Sequence, residues 1–182
     1  MIWSSPDLRV LFVCSANLCR SPLAEGILRH RLKTLELDKR VQVRSAGSCT
    51  GQSGQRPDPR IEKVAAEAGV SLARIRARKL TRNLIVRSDY VLVMEHCHLD
   101  DVAAIFAAEQ RDSVSGDRHI PGHVMLLSGF LPSRFQGTQD IPDPYFGDTN
   151  TLLTVYDLID AALEGFLQHL ESHLESFRNS QQ

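Results

Sequence analysis

Residues 10–28, VLFVCSANLCRSPLAEGIL, carry the pattern that decides the fold. The apolar run 10–13 is typical of a buried parallel strand. Apolar residues then repeat at helical spacing: Leu23, Ile27, Leu28. A strand therefore leads into a helix through the segment from Cys14 to Ser21. In such a turn several backbone N–H groups point into one concavity, and the helix dipole adds partial positive charge there. The stretch predicts an anion site of the kind that binds phosphate.

The alternation of strands and helices continues along the chain. Candidate strands lie at 10–13, 41–45, 90–94 and 124–127. In the second helix Asp58 is the expected N-cap, Pro59 the first helical residue and Gly69 the stop. A long last helix follows, and we expect residues 1–7 and 176–182 to fray. The pattern predicts an α/β fold, a doubly wound, four-stranded parallel sheet with helices on both faces, in a single domain over 1–182.

Composition narrows the class of protein. The formal net charge is −1, which gives no electrostatic reason to expect nucleic acid as a partner. No apolar run approaches the ~20 residues of a membrane helix, and the start, MIWSSPDLR, lacks the features of a secretory signal. We therefore expect a cytoplasmic protein without membrane insertion. The four cysteines do not form the pattern of a disulfide framework.

The loop after the first strand contains the residues of a nucleophilic reaction at phosphorus. Arg20 offers a planar fork that can bind two phosphate oxygens. The same positive field favours the thiolate form of Cys14, which would lie beneath a bound phosphoryl group in position for in-line attack. We expect the Ser21 hydroxyl to bond that sulfur and to cap the helix, with Pro22 as the first helical residue.

Two polar loops are expected at the same edge of the sheet, where ligands bind in open α/β folds. They are GSCTGQSGQRP (47–57) and LPSRFQGTQDIPDPYFGD (131–148). The second loop offers three carboxyl groups that could act as a general acid, and spacing alone leaves all three open: Asp140, Asp143, Asp148.

These residues resemble the low-molecular-weight protein tyrosine phosphatases. The signature Cys-x-Gly-Asn-x-Cys-Arg-Ser-Pro of that family is matched from Cys14 to Pro22 except at Ala16, and SAG (45–47), DPR (58–60) and DPYFG (143–147) recur in the family's order. The resemblance implies hydrolysis of phosphotyrosine through a cysteinyl-phosphate, with no metal and no cofactor. The implied partner is a tyrosine-phosphorylated protein or peptide, and the implied state is a monomer or weak dimer.

The resemblance also assigns roles to residues. It implies Cys14 as nucleophile, Arg20 as phosphate clamp and Asp143 as general acid and base. It places Tyr145 and Phe146 in the substrate pocket, although Phe146 could equally pack on the core. The implied phosphate-binding loop consists of Ser15, Ala16, Asn17, Leu18, Cys19 and Ser21. In the family, the two loop cysteines can close a reversible disulfide.

Several positions depart from the family pattern. Ala16 replaces the usual Gly, which would cost about 1–2 kcal/mol if the position needs a positive φ. Ile75 lies near the usual position of a loop-supporting His, and MEHCH (94–98) replaces Met-Asp-x-Ser-Asn. The 48–55 loop lacks an aromatic side chain.

Four other functions fit parts of the sequence. A thiol-dependent arsenate reductase shares the fold but needs two further redox cysteines close together, and only Cys97 follows the third strand. A protein-arginine phosphatase carries Thr where this chain has Leu18, and Leu18 favours an aromatic ring. A silent phosphotyrosine-binding module would have lost Cys14, Arg20 or the acid. Metal binding by HCH (96–98) lacks the four ligands of a structural zinc site.

Overall fold

A computed structural model of the protein describes residues 6–49, 51–108, 122–135 and 137–179. The described residues form one four-stranded sheet in the order β2-β1-β3-β4, and every neighbouring pair is parallel. The strands are β1 (Leu8–Cys14), β2 (Val41–Gly47), β3 (Tyr90–Val93) and β4 (His123–Leu126). The predicted strand cores and the predicted fold class are confirmed.

Five α-helices connect and follow the strands in the described ranges. They are α1 (Arg20–Thr34), α2 (Pro59–Glu67), α3 (Arg82–Val86), α4 (His96–Ala108) and α5 (Thr149–Asn179). The predicted caps of α2 are confirmed, because the Asp58 side chain accepts a bond from the Arg60 N–H and Gly69 has a positive φ of 76°. The helix α5 extends to Asn179, although we expected fraying from residue 176.

The sheet separates two apolar cores because side chains alternate along each strand. Val10 and Phe12 of β1 face one core, and Leu11 and Val13 face the other. The first core also receives side chains from α1, α2 and α5, and the second receives them from α3 and α4. This confirms helices on both faces. None of the helices in the described ranges, including the 31-residue α5, is apolar enough to cross a membrane.

The strand order places the end of β1 at the point where the chain reverses direction across the sheet. β1 lies between β2 and β3. The connection after β1 leads to β2 on one side, and the connection after β3 leads to β4 on the other side, so the two connections diverge beside the carboxyl end of β1. Ligands in doubly wound sheets bind at this switch point, at the carboxyl ends of the strands. Cys14 is the last residue of β1, and the topology therefore brings it to this position.

Gly47, at the end of β2, lies directly against the loop that follows β1. A Cβ atom on Gly47 would lie 2.7 Å from the carbonyl oxygen of Ser15, 2.8 Å from the backbone carbon of Ala16 and 3.0 Å from the nitrogen of Asn17. All three atoms belong to the backbone, which cannot move aside as a flexible side chain can. The glycine of the SAG sequence at 45–47 thus lets the end of β2 approach the loop after β1 closely.

We expect Gly47→Ala to displace the loop from Cys14 to Ser21 and to lower the free energy of unfolding by about 1–3 kcal/mol, the usual effect of overpacking. Denaturant melts measure this change. Gly129→Ala is the matched control, because a Cβ atom there has no heavy atom within 4 Å. Equal stability of the two variants would contradict the close approach.

Candidate active site

The thiol of Cys14 lies at the base of the site, buried at the end of β1. Its Sγ atom is 2.9 Å from the Ser21 hydroxyl, and it accepts a bond from the backbone N–H of Asn17 at 3.3 Å. Two polar groups therefore converge on a sulfur that is otherwise enclosed. The Asn17 N–H and the Ser21 hydroxyl can both donate a hydrogen bond to this sulfur.

Asn17 holds the loop together from within. It is fully buried and has a φ of 57°, a left-handed conformation that Asn tolerates better than most residues. Its Nδ2 donates to the hydroxyls of Ser21 and Ser45, both at 2.8 Å, and its Oδ1 accepts from the Arg78 N–H at 2.9 Å. Ala16 does not have a positive φ, so the expected strain of alanine at this position does not arise.

A buried carboxyl group extends this network beneath the loop. The Ser45 hydroxyl donates to Glu25 Oε2 at 2.5 Å, and Arg29 Nη2 lies 2.6 Å from Oε1 of the same group. Burial raises the pKa of Glu25, although Arg29 and the bond from Ser45 act in the opposite direction. The chain of contacts runs from Glu25 through Ser45, Asn17 and Ser21 to the sulfur of Cys14.

The expected capping of α1 by Ser21 is wrong. The helix begins at Arg20, Cys19 is its N-cap, and no side chain caps it. The first helical bond runs from the Leu23 N–H to the Cys19 carbonyl at 3.1 Å. Pro22 is therefore the third residue of the helix, where it is tolerated because the first four N–H groups have no partner within the helix. Ser21 instead turns its hydroxyl toward Cys14.

Arg20 is almost completely buried, at 1% exposure, and its guanidinium group is bound at both ends. Nη1 donates to Glu95 Oε1 and to the carbonyl of Ile141, the latter at 2.9 Å. Nη2 donates to Asp143 Oδ2 at 2.5 Å and lies 3.4 Å from Ser15 Oγ. Two carboxylates thus neutralise the buried cation and fix its orientation.

The segment after β3 supplies two residues whose contacts with the phosphate-binding loop were not predicted: Glu95, just before α4, and His98, in the first turn of α4. Glu95 pairs with Arg20, and the His98 Nε2 lies 2.9 Å from Ser15 Oγ. His98 Nδ1 accepts the Glu95 N–H at 3.2 Å, so the ring proton resides on Nε2 and is donated to Ser15. Burial and the nearby charge of Arg20 lower the pKa of His98, which favours this neutral ring. In the sequence, the feature that could have indicated these two residues is the polar segment MEHCH (94–98) at the end of a buried strand.

The structure distinguishes the three carboxyl groups that were candidates for the general acid on spacing alone. Asp140 accepts bonds from the N–H and Nδ1 of His96 at 2.9 and 2.7 Å, at the start of α4. Asp148 accepts from the N–H of Thr151, and this bond is the main cause of its lowered pKa. Asp143 alone of the three lines the cavity above Cys14.

The cavity above Cys14 has a volume of about 340 Å³. It is lined by Cys14, Ala16, Leu18, Cys19, Arg20, Gln52, Asp143, Tyr145 and Phe146. The rings of Tyr145 and Phe146 meet edge to face, with centroids 5.0 Å apart. Phe146 is 98% exposed, which excludes the alternative that it packs on the core. Gln52 was not predicted, although its loop was expected at this edge.

Arg60 ties the loop that carries Asp143 to the start of α2. Its Nη2 donates to the Tyr145 carbonyl at 2.8 Å and its Nη1 to the Gly147 carbonyl at 3.2 Å. Asp58 binds the same guanidinium group at 2.7 Å. The DPR segment therefore positions the backbone of the acid-bearing loop.

Cys19, the second cysteine of the phosphate-binding loop, is buried. Cys14 and Cys19 are both free and buried. Burial, together with the negative charge of Asp58, raises the pKa of Cys19 to about 12. Cys19 is therefore a protonated thiol at neutral pH.

A group of possible metal ligands lies beside the site. Atoms of Glu95, Cys97 and His98 lie within 4.8 Å of one another, the only such group in the described part of the chain. Both nitrogens of His98 are already hydrogen-bonded, and Glu95 binds Arg20. These contacts compete with metal binding, and the absence of a metal stays a prediction.

Comparisons with known proteins agree with this geometry. Residues 9–176 match the family described as low molecular weight phosphotyrosine protein phosphatase. The low molecular weight protein-tyrosine-phosphatase of Streptomyces coelicolor is 32% identical over 167 residues, which cover 92% of this chain and 96% of the relative. Etp, the low molecular weight protein-tyrosine-phosphatase of Escherichia coli K12, is 34% identical over 161 residues, 88% of this chain and 93% of the relative.

A solved structure with a different named activity shares the fold. The drosophila arginine phosphatase DARP is 26% identical, has a TM-score of 0.77, and the match covers 88% of this chain and 96% of that one. The matches to family and relatives confirm the resemblance and the prediction of an enzyme of the protein-tyrosine phosphatase class. The chain belongs to the low molecular weight phosphotyrosine protein phosphatase family.

Proposed function

We propose that this enzyme hydrolyses phosphotyrosine in proteins through a cysteinyl-phosphate intermediate and without a metal ion. One observation carries the proposal: the Cys14 thiol, the Arg20 guanidinium and the Asp143 carboxyl line a single cavity. A nucleophile, an anion clamp and a proton donor are the groups that displacement at a phosphate monoester requires. The phosphate-binding loop is the segment Ser15 to Ser21.

In the first step the Cys14 thiolate attacks phosphorus, the S–P bond forms and the bond from phosphorus to the phenolic oxygen breaks. The Ser21 hydroxyl and the Asn17 N–H, 2.9 and 3.3 Å from the sulfur, support the thiolate before attack. The backbone N–H groups of the loop and the start of α1 offer positive potential to the phosphate oxygens.

Arg20 binds the phosphate through the end of its guanidinium group that now contacts Asp143. Glu95 and the Ile141 carbonyl hold Nη1, which leaves Nη2 to exchange Asp143 for a phosphate oxygen. The exchange replaces one anionic partner by another, so the buried cation stays neutralised. It also frees the carboxyl group of Asp143 for the leaving oxygen.

Asp143 then acts twice. Once released from Arg20, the Asp143 carboxylate takes a proton from solvent and, as a general acid, gives it to the departing phenolate. As a general base it then takes a proton from the water that attacks phosphorus, while the S–P bond breaks and the Cys14 thiolate and inorganic phosphate are released. The bond from the Tyr145 N–H to Asp143 Oδ1, 3.0 Å, orients the carboxyl group toward the cavity.

The rim of the cavity favours an aromatic phosphate ester. Leu18, Tyr145 and Phe146 present apolar surface on which a tyrosine ring can pack, and ring stacking contributes about 0.5–1.5 kcal/mol beyond burial. Phosphoserine has a side chain too short to bring its phosphate to Arg20 at the base. Phosphoarginine is the alternative substrate, since an arginine phosphatase shares the fold, but Leu18 offers its guanidinium group no hydrogen bond.

The remaining expectations from the sequence stand as proposals. They are a single domain over 1–182, a monomer or weak dimer, and a cytoplasmic enzyme that acts on a tyrosine-phosphorylated protein.

The mechanism is tested by hydrolysis of an aryl phosphate in the presence of a chelator. We expect the wild-type rate to be unchanged by the chelator and Cys14→Ser to be inactive, because a serine hydroxyl is not ionised at neutral pH. Cys49→Ser, at an exposed free cysteine, is the control and should retain full activity. Chelator-sensitive turnover, or turnover by Cys14→Ser, would contradict the proposal.

For the general acid, we expect Asp143→Asn to lower kcat by about 10²–10⁴-fold with phenyl phosphate. The loss should shrink with leaving groups acidic enough to depart without a proton. Asp140→Asn is the matched control, because Asp140 lies on the same loop but binds His96. A wild-type rate for Asp143→Asn would transfer the role to another acid.

Substrate preference is measured as kcat/KM on three peptides that differ only in the phosphorylated residue. We expect phosphotyrosine to exceed both phosphoarginine and phosphoserine. Leu18→Thr should narrow the difference between phosphotyrosine and phosphoarginine. Equal or higher activity on phosphoarginine would overturn the substrate class while leaving the cysteinyl-phosphate mechanism intact.

A further inference from the structure

A second cavity, of about 490 Å³, is lined by residues from the first halves of β1 and β2, away from Cys14 at the carboxyl end of β1. Its lining includes three arginines, Arg9, Arg44 and Arg87, and the amides of Gln42 and Asn83. The volume lies within the range of ~300–1,000 Å³ that is usual for small-molecule sites. No acidic side chain lines it.

The fold brings these arginines together from separate elements. Arg9 pairs with Gln42 and Leu11 with Arg44 in the register of β1 and β2, so Arg9 and Arg44 project from the face that carries Leu11 toward the second core. Arg87 is the C-cap of α3, which packs on the same face. The short α3 leaves the amino-terminal part of this face open.

The three guanidinium groups form no ion pair with any residue that the structure describes. Neighbouring acids have other partners: the Asp89 carboxylate accepts the backbone N–H of Arg9 at 2.7 Å, and Asp7 pairs with Arg40 at 2.6 Å. The chain has a net charge of −1, so this cluster is a local concentration of positive charge in a nearly neutral protein.

We propose that this cavity binds a small organic diphosphate. Planar guanidinium forks match phosphate oxygens in pairs, and three of them balance the charge of a diphosphate ester. The amides of Gln42 and Asn83 can donate to the remaining oxygens or contact the organic part. The compact cavity favours a small molecule over an extended acidic peptide.

This site is separate from the substrate cavity. Arg9 lies five residues before Cys14 on β1, a distance of about 16 Å at the rise of a strand. A phosphate bound to Arg20 therefore does not reach the arginine cluster. The proposal does not depend on the phosphatase mechanism.

The test is an NMR titration of the full chain at constant ionic strength, with backbone amide shifts read separately near Arg9, Arg44 and Arg87 and in the 14–21 loop. The probes are methylenediphosphonate and α,β-methylene-ADP, which resist hydrolysis and distinguish an inorganic from a nucleotide ligand. We expect saturable shifts in the cluster with α,β-methylene-ADP, whereas shifts with methylenediphosphonate alone would overturn the assignment of an organic ligand. Hexaglutamate tests the acidic-peptide alternative.

The double variant Arg44→Gln, Arg87→Gln should weaken binding at the cluster at least tenfold while leaving shifts in the 14–21 loop unchanged. Arg56→Gln is the matched control, since Arg56 is exposed, lies before α2 and pairs with Glu62 of that helix, which packs on the opposite face of the sheet. The single variant Arg44→Gln, at an exposed residue, should weaken binding about threefold. It replaces the double variant in the test if the double variant does not fold. Shifts confined to the 14–21 loop, affinity unchanged by these variants, or binding of hexaglutamate alone would overturn the proposal.

Discussion

The burial of one positive charge organises the functional edge of this protein. Arg20 is 1% exposed, and an unpaired guanidinium group in that position would cost several kcal/mol in lost hydration. Its partners come from two other loops: Glu95 follows β3, while Ile141 and Asp143 belong to the segment before α5. The requirement to neutralise Arg20 therefore ties three loops at the carboxyl edge of the sheet into one arrangement. Two of these loops, the one after β1 and the one before α5, line the cavity above Cys14 together with Gln52 from the loop after β2.

A neutral network supports the other side of the same loop. Asn17 uses all its side-chain polar groups on Ser21, Ser45 and the Arg78 N–H, and it takes the left-handed conformation that closes the turn. Because Gly47 has no side chain, the end of β2 can pack directly against the backbone of the loop after β1. Charge thus fixes the guanidinium group, while neutral hydrogen bonds and close packing fix the sulfur. The two constraints meet at Cys14, the last residue of β1, and Arg20, the first residue of α1, which flank the turn.

Short-range sequence patterns predicted the structural elements that residues close together in the sequence determine. The strand cores, the Asp58 cap and the Gly69 stop follow from periodicity and from residues a few positions apart. The helix α3 could not be predicted in this way, because its five residues are too few to display a period. The start of α1 was placed too late, since Ser-Pro suggests a capped start whereas the turn already winds into the helix at Arg20. The contacts of Arg20 with Glu95 and of Ser15 with His98 span 75 and 83 residues, and no local pattern reports them.

The departures from the family pattern fit a loop whose shape is set mainly by its backbone. Ile75 is buried at 2% exposure in the first core, so no imidazole supports the loop from that position. Support comes instead from the Arg78 N–H, which reaches Asn17 whatever side chain residue 78 carries. His98 adds a contact to Ser15 from the opposite side. Ala16 needs no glycine conformation because Asn17 takes the left-handed step of the turn. The turn therefore stays closed behind the nucleophile in spite of the departures at Ala16, Ile75 and His98, because Asn17 takes the left-handed conformation and Gly47 allows the close approach of β2.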